Sequence, residues 1–179
     1  YPGGADAMPN PNATKTGYYL RKFLNENVNI QTGGGSDGHV VPLFRLAEIY
    51  LNYAEALNEY DPTNPDIAVY LNKIRERVSL PDVPSGLTQE QMRTLIHHER
   101  RVELAFEEHR FWDVRRWKVA SSTLGAPVKG VKITQDDAGN FTYSPVQVEQ
   151  RVFQPKMYWY PIPQSETLKL HHWEQNKGW

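Results

Sequence analysis

Between Pro42 and Asn58 the apolar residues Leu43, Leu46, Ala47, Tyr50, Tyr53, Ala54 and Leu57 recur three and four positions apart, the period of one helix face. Pro42 suits a first helical position, so the pattern predicts an α-helix over 42–58. Ile49 and Leu51 widen the stripe, and only Arg45, Glu48, Asn52 and Glu55 remain on a narrow polar side. A helix that is apolar over more than half its circumference needs more than one neighbour. Asp61, Pro62 and Thr63 break the chain, and Asn64 with Pro65 starts a second helix to about Leu80. Its face is Ile67, Tyr70, Leu71, Ile74 and Val78, with Arg75 and Arg77 beside it. Two antiparallel helices on a short connection make a helical hairpin. Thr88 and Gln91 form a capping box that opens a third helix to about Glu108. Arg110 to Ala120 then forms a shorter amphipathic helix carrying Phe111, Trp112, Val114 and Trp117, the two tryptophans facing the core.

The period changes after Ser121. Val128–Ile133, Phe141–Val148 and Val152–Pro161 are β-prone runs, the first two separated by an Asp136–Asn140 turn, and they predict a small antiparallel ribbon. Gln164–Leu170 reads as a last helical turn. Trp173 and Trp179, in a tail too aromatic to stay solvated, are expected to pack back onto the helices. Ahead of the first helix, Tyr1–Asn12 reads as loop, and Tyr18, Tyr19, Leu20 and Phe23 as a short extended piece. Gly33–Gly38 is a flexible loop without the lysine of a phosphate loop. The fold class is therefore mainly α, with a helical hairpin, further helices and a small antiparallel β-ribbon near the C-terminus, in a single domain over 1–179.

Residues Glu99–Trp117 organise the chain. At 100° per residue Leu95, Ile96, Val102 and Phe106 share a stripe with Glu99 and Glu103. Two carboxylates on an apolar face require partners, so a structural ion network of Glu99 and Glu103 with Arg110 and Arg116, or Arg75 from the neighbouring helix, is expected. Glycoside hydrolysis also uses two carboxylates at comparable spacing, but a stripe shared with Met92, Leu95, Ile96 and Phe106 belongs to a core rather than a cleft. His97–His98 and His171–His172 are adjacent pairs whose side chains diverge by about 100° on a helix, so no metal site is expected. No GxSxG motif is present, and there is no cysteine for a thiol nucleophile or a disulfide. A formal net charge of −1 without basic runs argues against a nucleic-acid surface. No cofactor motif appears.

Five tryptophans and ten tyrosines supply the more informative chemistry. A pyranose presents an apolar C–H face that stacks on an aromatic ring, and Tyr18, Tyr19 and Trp159, each beside polar groups, are the candidate glycan-binding residues. An alternative is a protein-interaction module whose helices hold a peptide. A flat aromatic platform with nearby amides suits a glycan, and a concave apolar groove suits a peptide.

The run ERRVELAFEEHRFWDVRRW, together with Arg45–Tyr60, Leu71–Pro81, Tyr160–Pro163 and Gln175–Trp179 in the same order, resembles the SusD/RagB family of surface glycan-binding lipoproteins. Glu108 stands where that family usually has glycine. The resemblance implies that the chain is the C-terminal region of a longer protein, its N-terminal portion and lipid anchor being absent. It also implies that the hairpin is tetratricopeptide-like and that the protein is not an enzyme. The implied role is capture of an oligosaccharide at the outer-membrane cell surface for a SusC-like TonB-dependent transporter. Loops upstream of this chain would form most of the glycan site, and the polar side of the first helix would be offered to the transporter.

Overall fold

The computed structural model describes residues 3–4, 7, 11, 13–25, 42–169 and 172–179; the Gly33–Gly38 loop and His171 lie outside them. The chain divides into two compact units, Lys22–Trp112 and Tyr1–Arg21 with Asp113–Trp179. The architecture is mainly α, with a tetratricopeptide-like helical hairpin and a two-stranded antiparallel sheet.

In the first unit, α1 (Leu46–Tyr60) packs against both α2 (Asp66–Glu76) and α3 (Gln89–Glu103). Their common core is Leu51, Ala54, Ile67, Leu71, Ile74, Ile96 and Leu104, with Tyr50, Leu57 and Met92 at its margin. Tyr70 lies 5.1 Å from Tyr50 and 4.9 Å from Tyr53, which ties the hairpin together through aromatic edges. Local chemistry sets the entries. The Asp61 carboxylate accepts from the Thr63 amide and hydroxyl, and Asn64 Oδ1 accepts from the Asp66 amide at 3.1 Å at the start of α2. Thr88 and Gln91 close the expected capping box of α3.

The helices are shorter than periodicity predicts, each for a visible reason. α1 begins at Leu46 rather than Pro42: Arg45 is extended (φ −146°, ψ 156°), and Leu43 and Phe44 are exposed, so no burial rewards four further helical residues. α2 stops at Glu76 because Ser79 turns left-handed, the Ser79 amide donating to Glu76 O and the Leu80 amide to Arg75 O. α3 ends at Glu103, and Phe106 and Glu108 both have positive φ. The stripe that would carry Phe106 and Arg110 therefore ends at Glu103; Val102 and Phe106 are exposed, and Arg100 and Leu104 are buried instead. The polar side of α1 is likewise largely turned inward, although Asn52 stays exposed. Glu48 is buried and approaches His109 of α4 (His109–Arg116), Asn52 accepts from Arg100 at 2.6 Å, and Glu55 lies 3.9 Å from His97.

At the position where the family usually has glycine, Glu108 itself takes a left-handed conformation, with φ 69°. A left-handed non-glycine residue costs about 1–2 kcal/mol, part of which glycine returns through its freedom in the unfolded chain. Glu108→Gly is accordingly expected to raise stability by about 0.5–1 kcal/mol in urea unfolding. A loss of stability would show that the Glu108 side chain matters more than its backbone.

In the second unit, β1 (Val128–Gln135) and β2 (Phe141–Glu149) pair antiparallel, with Val131 opposite Pro145. Asp136 closes the hairpin by accepting from the amides of Ala138 and Asn140. The other edge of β1 meets the N-terminal segment, where Thr16 O accepts from the Val131 amide at 2.8 Å. Gly130 permits this approach, since a Cβ there would sit 2.6 Å from Thr16 O. The expected third strand over 152–161 does not form. Pro155, which has no amide proton, starts a 3₁₀ turn over Pro155–Tyr158 instead. α5 (Ala120–Leu124) precedes the sheet, and α6 (Gln164–Thr167) is the last helical turn. Trp179 packs on the 3₁₀ turn rather than on the helices, and Trp173 is exposed.

Candidate functional site

The turn after α3 builds a cluster of charges inside the first unit. With Phe106 and Glu108 both left-handed, the Glu107 carboxylate is directed inward and its side chain is only 4% exposed. Arg45 Nε donates to one carboxylate oxygen at 2.6 Å and Nη2 to the other at 2.8 Å. Arg45 also reaches the Glu103 carboxylate (2.5 Å) and carbonyl (2.6 Å), while Arg77, just past the end of α2, holds Glu103 at 2.6 Å. The Lys22 ammonium donates to Glu107 and to the carbonyls of Glu103 (3.1 Å) and Ala105 (2.8 Å), which uses all three of its protons. Glu99 pairs with Arg75. Arg116 donates to Asp113 at 2.9 Å, and Arg110 also has an interaction partner. Arg45, Arg77 and Lys22 were not foreseen as partners. The sequence signal is the spacing of three carboxylates, Glu99, Glu103 and Glu107, at i, i+4 and i+8.

Burial works to raise the Glu107 carboxyl, but hydrogen bonds and charge from Arg45 and Lys22 outweigh it and hold the group below its ordinary value of 4.5. The unfolded chain therefore binds this proton more readily than the folded chain. The stabilisation is present above the unfolded value and is lost as pH falls through the lower folded one. Thermal unfolding should be flat from pH 7 to 5 and fall below about 4.5, less steeply in Glu107→Gln. Equal slopes in both proteins would remove Glu107 as a cause.

Beside this cluster the same unit opens a cleft of about 480 Å³. Phe23, Leu43, Phe106 and Trp112 line it, with Glu107 and His109 at its polar side. Phe106 is 70% exposed and Trp112 61%, which corrects the core placement of Trp112; its indole lines the cleft instead.

All three glycan candidates are exposed and belong to the second unit. Tyr18 and Tyr19 follow the segment paired with β1, and the Tyr19 hydroxyl accepts from the Thr14 amide at 3.4 Å. Trp159 follows the 3₁₀ turn and is 63% exposed. Its backbone is fixed by the C-terminal QNKGW run, which acts as a clamp. Gln175 Oε1 accepts from the Ile162 amide at 2.7 Å and its Nε2 donates to Ile162 O at 2.8 Å. Asn176 Nδ2 donates to Tyr160 O at 2.6 Å, and the Trp179 indole N–H donates to the carbonyls of Lys156 and Trp159, both at 3.1 Å. Tyr158 is drawn in by Ser121, whose hydroxyl meets the phenol oxygen at 3.5 Å and whose amide donates to it at 3.3 Å; the hydroxyl contact first, and then the amide, hold the phenol below its usual pKa. The result is an aromatic surface of Tyr158, Trp159 and Trp179 with amide side chains beside it. The clamp residues Gln175 and Asn176 went unrecognised in the sequence as supports of Trp159, because their partners are backbone atoms.

Among the described residues no group of histidine, aspartate or glutamate side chains is placed to hold a metal ion. None of their helices is long and apolar enough to cross a membrane.

Known proteins place this arrangement in context. The SusD family matches residues 1–179. Two SusD-like proteins of Formosa agariphila are similar: one is 36% identical over 126 residues, covering 66% of this chain and 24% of the relative, the other 40% identical over 106 residues, covering 56% and 19%. A solved SusD-like protein from Bacteroides fragilis superposes with a TM-score of 0.66 at 36% identity, over 76% of this chain and 25% of that one. The chain thus spans between about a fifth and a quarter of the length of these relatives. With a family match that runs through the hairpin, the signature turn and the terminal clamp alike, the chain belongs to the SusD family.

Proposed function

We infer that this protein captures an oligosaccharide without turning it over and passes it to a SusC-like TonB-dependent transporter, as a lipid-anchored protein of the outer-membrane cell surface. Membership of the SusD family supports the reading. The observation that carries it in this chain is Trp159, a solvent-facing indole whose backbone is clamped before any ligand arrives. A rigid aromatic platform loses little conformational entropy on binding, which is what stacking on a sugar face needs. The carboxylates of Glu99, Glu103 and Glu107 are committed to arginine or lysine partners, an arrangement suited to fixed charge rather than to proton transfer.

A glycan-array screen of the 179-residue chain, followed by calorimetry on its hits, tests the reading. Trp159→Ala is expected to weaken binding roughly 10-fold, and Tyr18→Ala and Tyr19→Ala to weaken it less. A second reading, a module that holds an apolar peptide, is favoured by the cleft beside Phe106 and Trp112. Selection of apolar peptides whose binding is lost in Trp112→Ala, with no glycan bound, would decide for it.

A further inference from the structure

The aromatic surface around Trp159 carries fixed positive charge. Lys118 Nζ lies 4.8 Å from the centre of the Tyr158 ring and 4.9 Å from that of Trp159. Lys156 Nζ lies 4.4 Å from the centre of the Trp179 ring, while the carbonyl of the same residue accepts the Trp179 indole proton. Among the described residues no carboxylate pairs with either ammonium, whereas Lys22, Arg45, Arg75, Arg77 and Arg93 are all neutralised. The wider surroundings lean the same way. Residues 1–21 and 113–179 hold eleven lysines and arginines against seven aspartates and glutamates, and residues 22–112 hold nine against fourteen.

Lys118 also occupies an unusual backbone position. The Lys118 amide donates to Arg115 O and the Val119 amide to Val114 O, both at 3.0 Å, and Lys118 has φ 59°. This is the left-handed closing residue of α4, a position that ordinarily favours glycine because a side chain is strained there. Helix termination alone does not call for a lysine, yet the lysine brings its ammonium onto the half-buried Tyr158 ring and the exposed Trp159 ring.

We propose that Lys118, with Lys156, makes the Tyr158–Trp159–Trp179 surface selective for anionic saccharides, the sugar ring stacking on Trp159 while a carboxylate or sulfate substituent meets the Lys118 ammonium. The proposal rests on the glycan-capture reading and names its ligand class. A cation held at an aromatic face is already partly stripped of water, so an incoming anion gains a charge-assisted hydrogen bond at low desolvation cost. A neutral sugar stacks on the same ring without that gain.

Calorimetry of the 179-residue chain against oligogalacturonate hexamer, a heparin-derived hexasaccharide and maltohexaose tests this, with the variants Lys118→Gly, Lys118→Arg and Trp159→Ala. Glycine is at ease at φ 59°, so Lys118→Gly deletes the charge and keeps the fold, which a thermal melt verifies. At least one anionic hexamer should bind more tightly than maltohexaose. Lys118→Gly should weaken it roughly 5- to 10-fold and leave maltohexaose unchanged; Lys118→Arg should keep the preference, and added salt should erode it. Equal affinity for all three sugars, or indifference of the anionic ones to Lys118→Gly, overturns the proposal. If Trp159→Ala still abolishes binding in that case, glycan capture stands and only the selectivity falls. If the folded chain binds neither these three nor any sugar on the array, both fall together.

Discussion

Replacing Leu71 by alanine should lower the unfolding free energy by about 3 kcal/mol, because a fully buried leucine loses its transfer free energy and leaves a cavity behind. Leu71 lies where α2 meets α1, among Leu51, Ala54, Ile67 and Ile74, and Ile96 from α3 belongs to the same cluster. Atoms drawn from three helices cannot collapse onto the gap without shifting whole elements, so the cost belongs well above that of a surface truncation. Val69→Ala, two residues away on the exposed side of α2, should change stability by no more than about 0.5 kcal/mol. The comparison is made in urea, where a shifted midpoint at constant slope reports stability alone. Similar losses for both variants would mean that the hairpin core is not where the burial places it.

Glu107→Ala should cost about 2–3 kcal/mol. Its carboxylate neutralises Arg45 and Lys22 together, and its removal leaves two cations facing each other beneath the α3 turn. The figure sits below that for a fully buried pair because Arg45 keeps a quarter of its side chain in water and can turn outward. A double-mutant cycle of Arg45→Ala with Glu107→Ala isolates the pair, and a coupling of at least about 1 kcal/mol is expected. Coupling near zero would reduce the cluster to a record of proximity. Loss of this anchor also frees the loop that bears Phe106 at the cleft, so peptide binding there, if it occurs, should weaken in the same variant.

Residues whose environment is local were legible in the sequence. The capping box of Thr88 and Gln91 and the turn at Asp136–Asn140 each depend on atoms within four residues, and they stand where the sequence puts them. So does the hairpin of α1 and α2, because its inner faces follow a helical period. The exposure of Tyr18, Tyr19 and Trp159 was a different matter: an aromatic residue beside polar neighbours reads the same whether it packs or faces water. Trp112 shows the converse, an amphipathic position that periodicity assigns to a core and that lies open at the cleft.

The helix ends depended on long-range contacts. Arg45 leaves the helix to meet Glu103 and Glu107, 58 and 62 residues away, and Lys22 crosses 85 residues to the same carboxylate. The third β-run was lost to Pro155 and to a clamp formed twenty residues downstream by Gln175, Asn176 and Trp179. By itself the sequence determined the family, the mainly helical class, the hairpin and the presence of a carboxylate-rich turn, since spacing and residue chemistry encode these directly. Only the tertiary structure decided which cations neutralise that turn, which aromatics reach solvent, and that two lysines lie against them without a carboxylate partner among the described residues. Those outcomes depend on side chains meeting across large sequence separations, where hydrogen-bond geometry and desolvation, rather than period, select the partner.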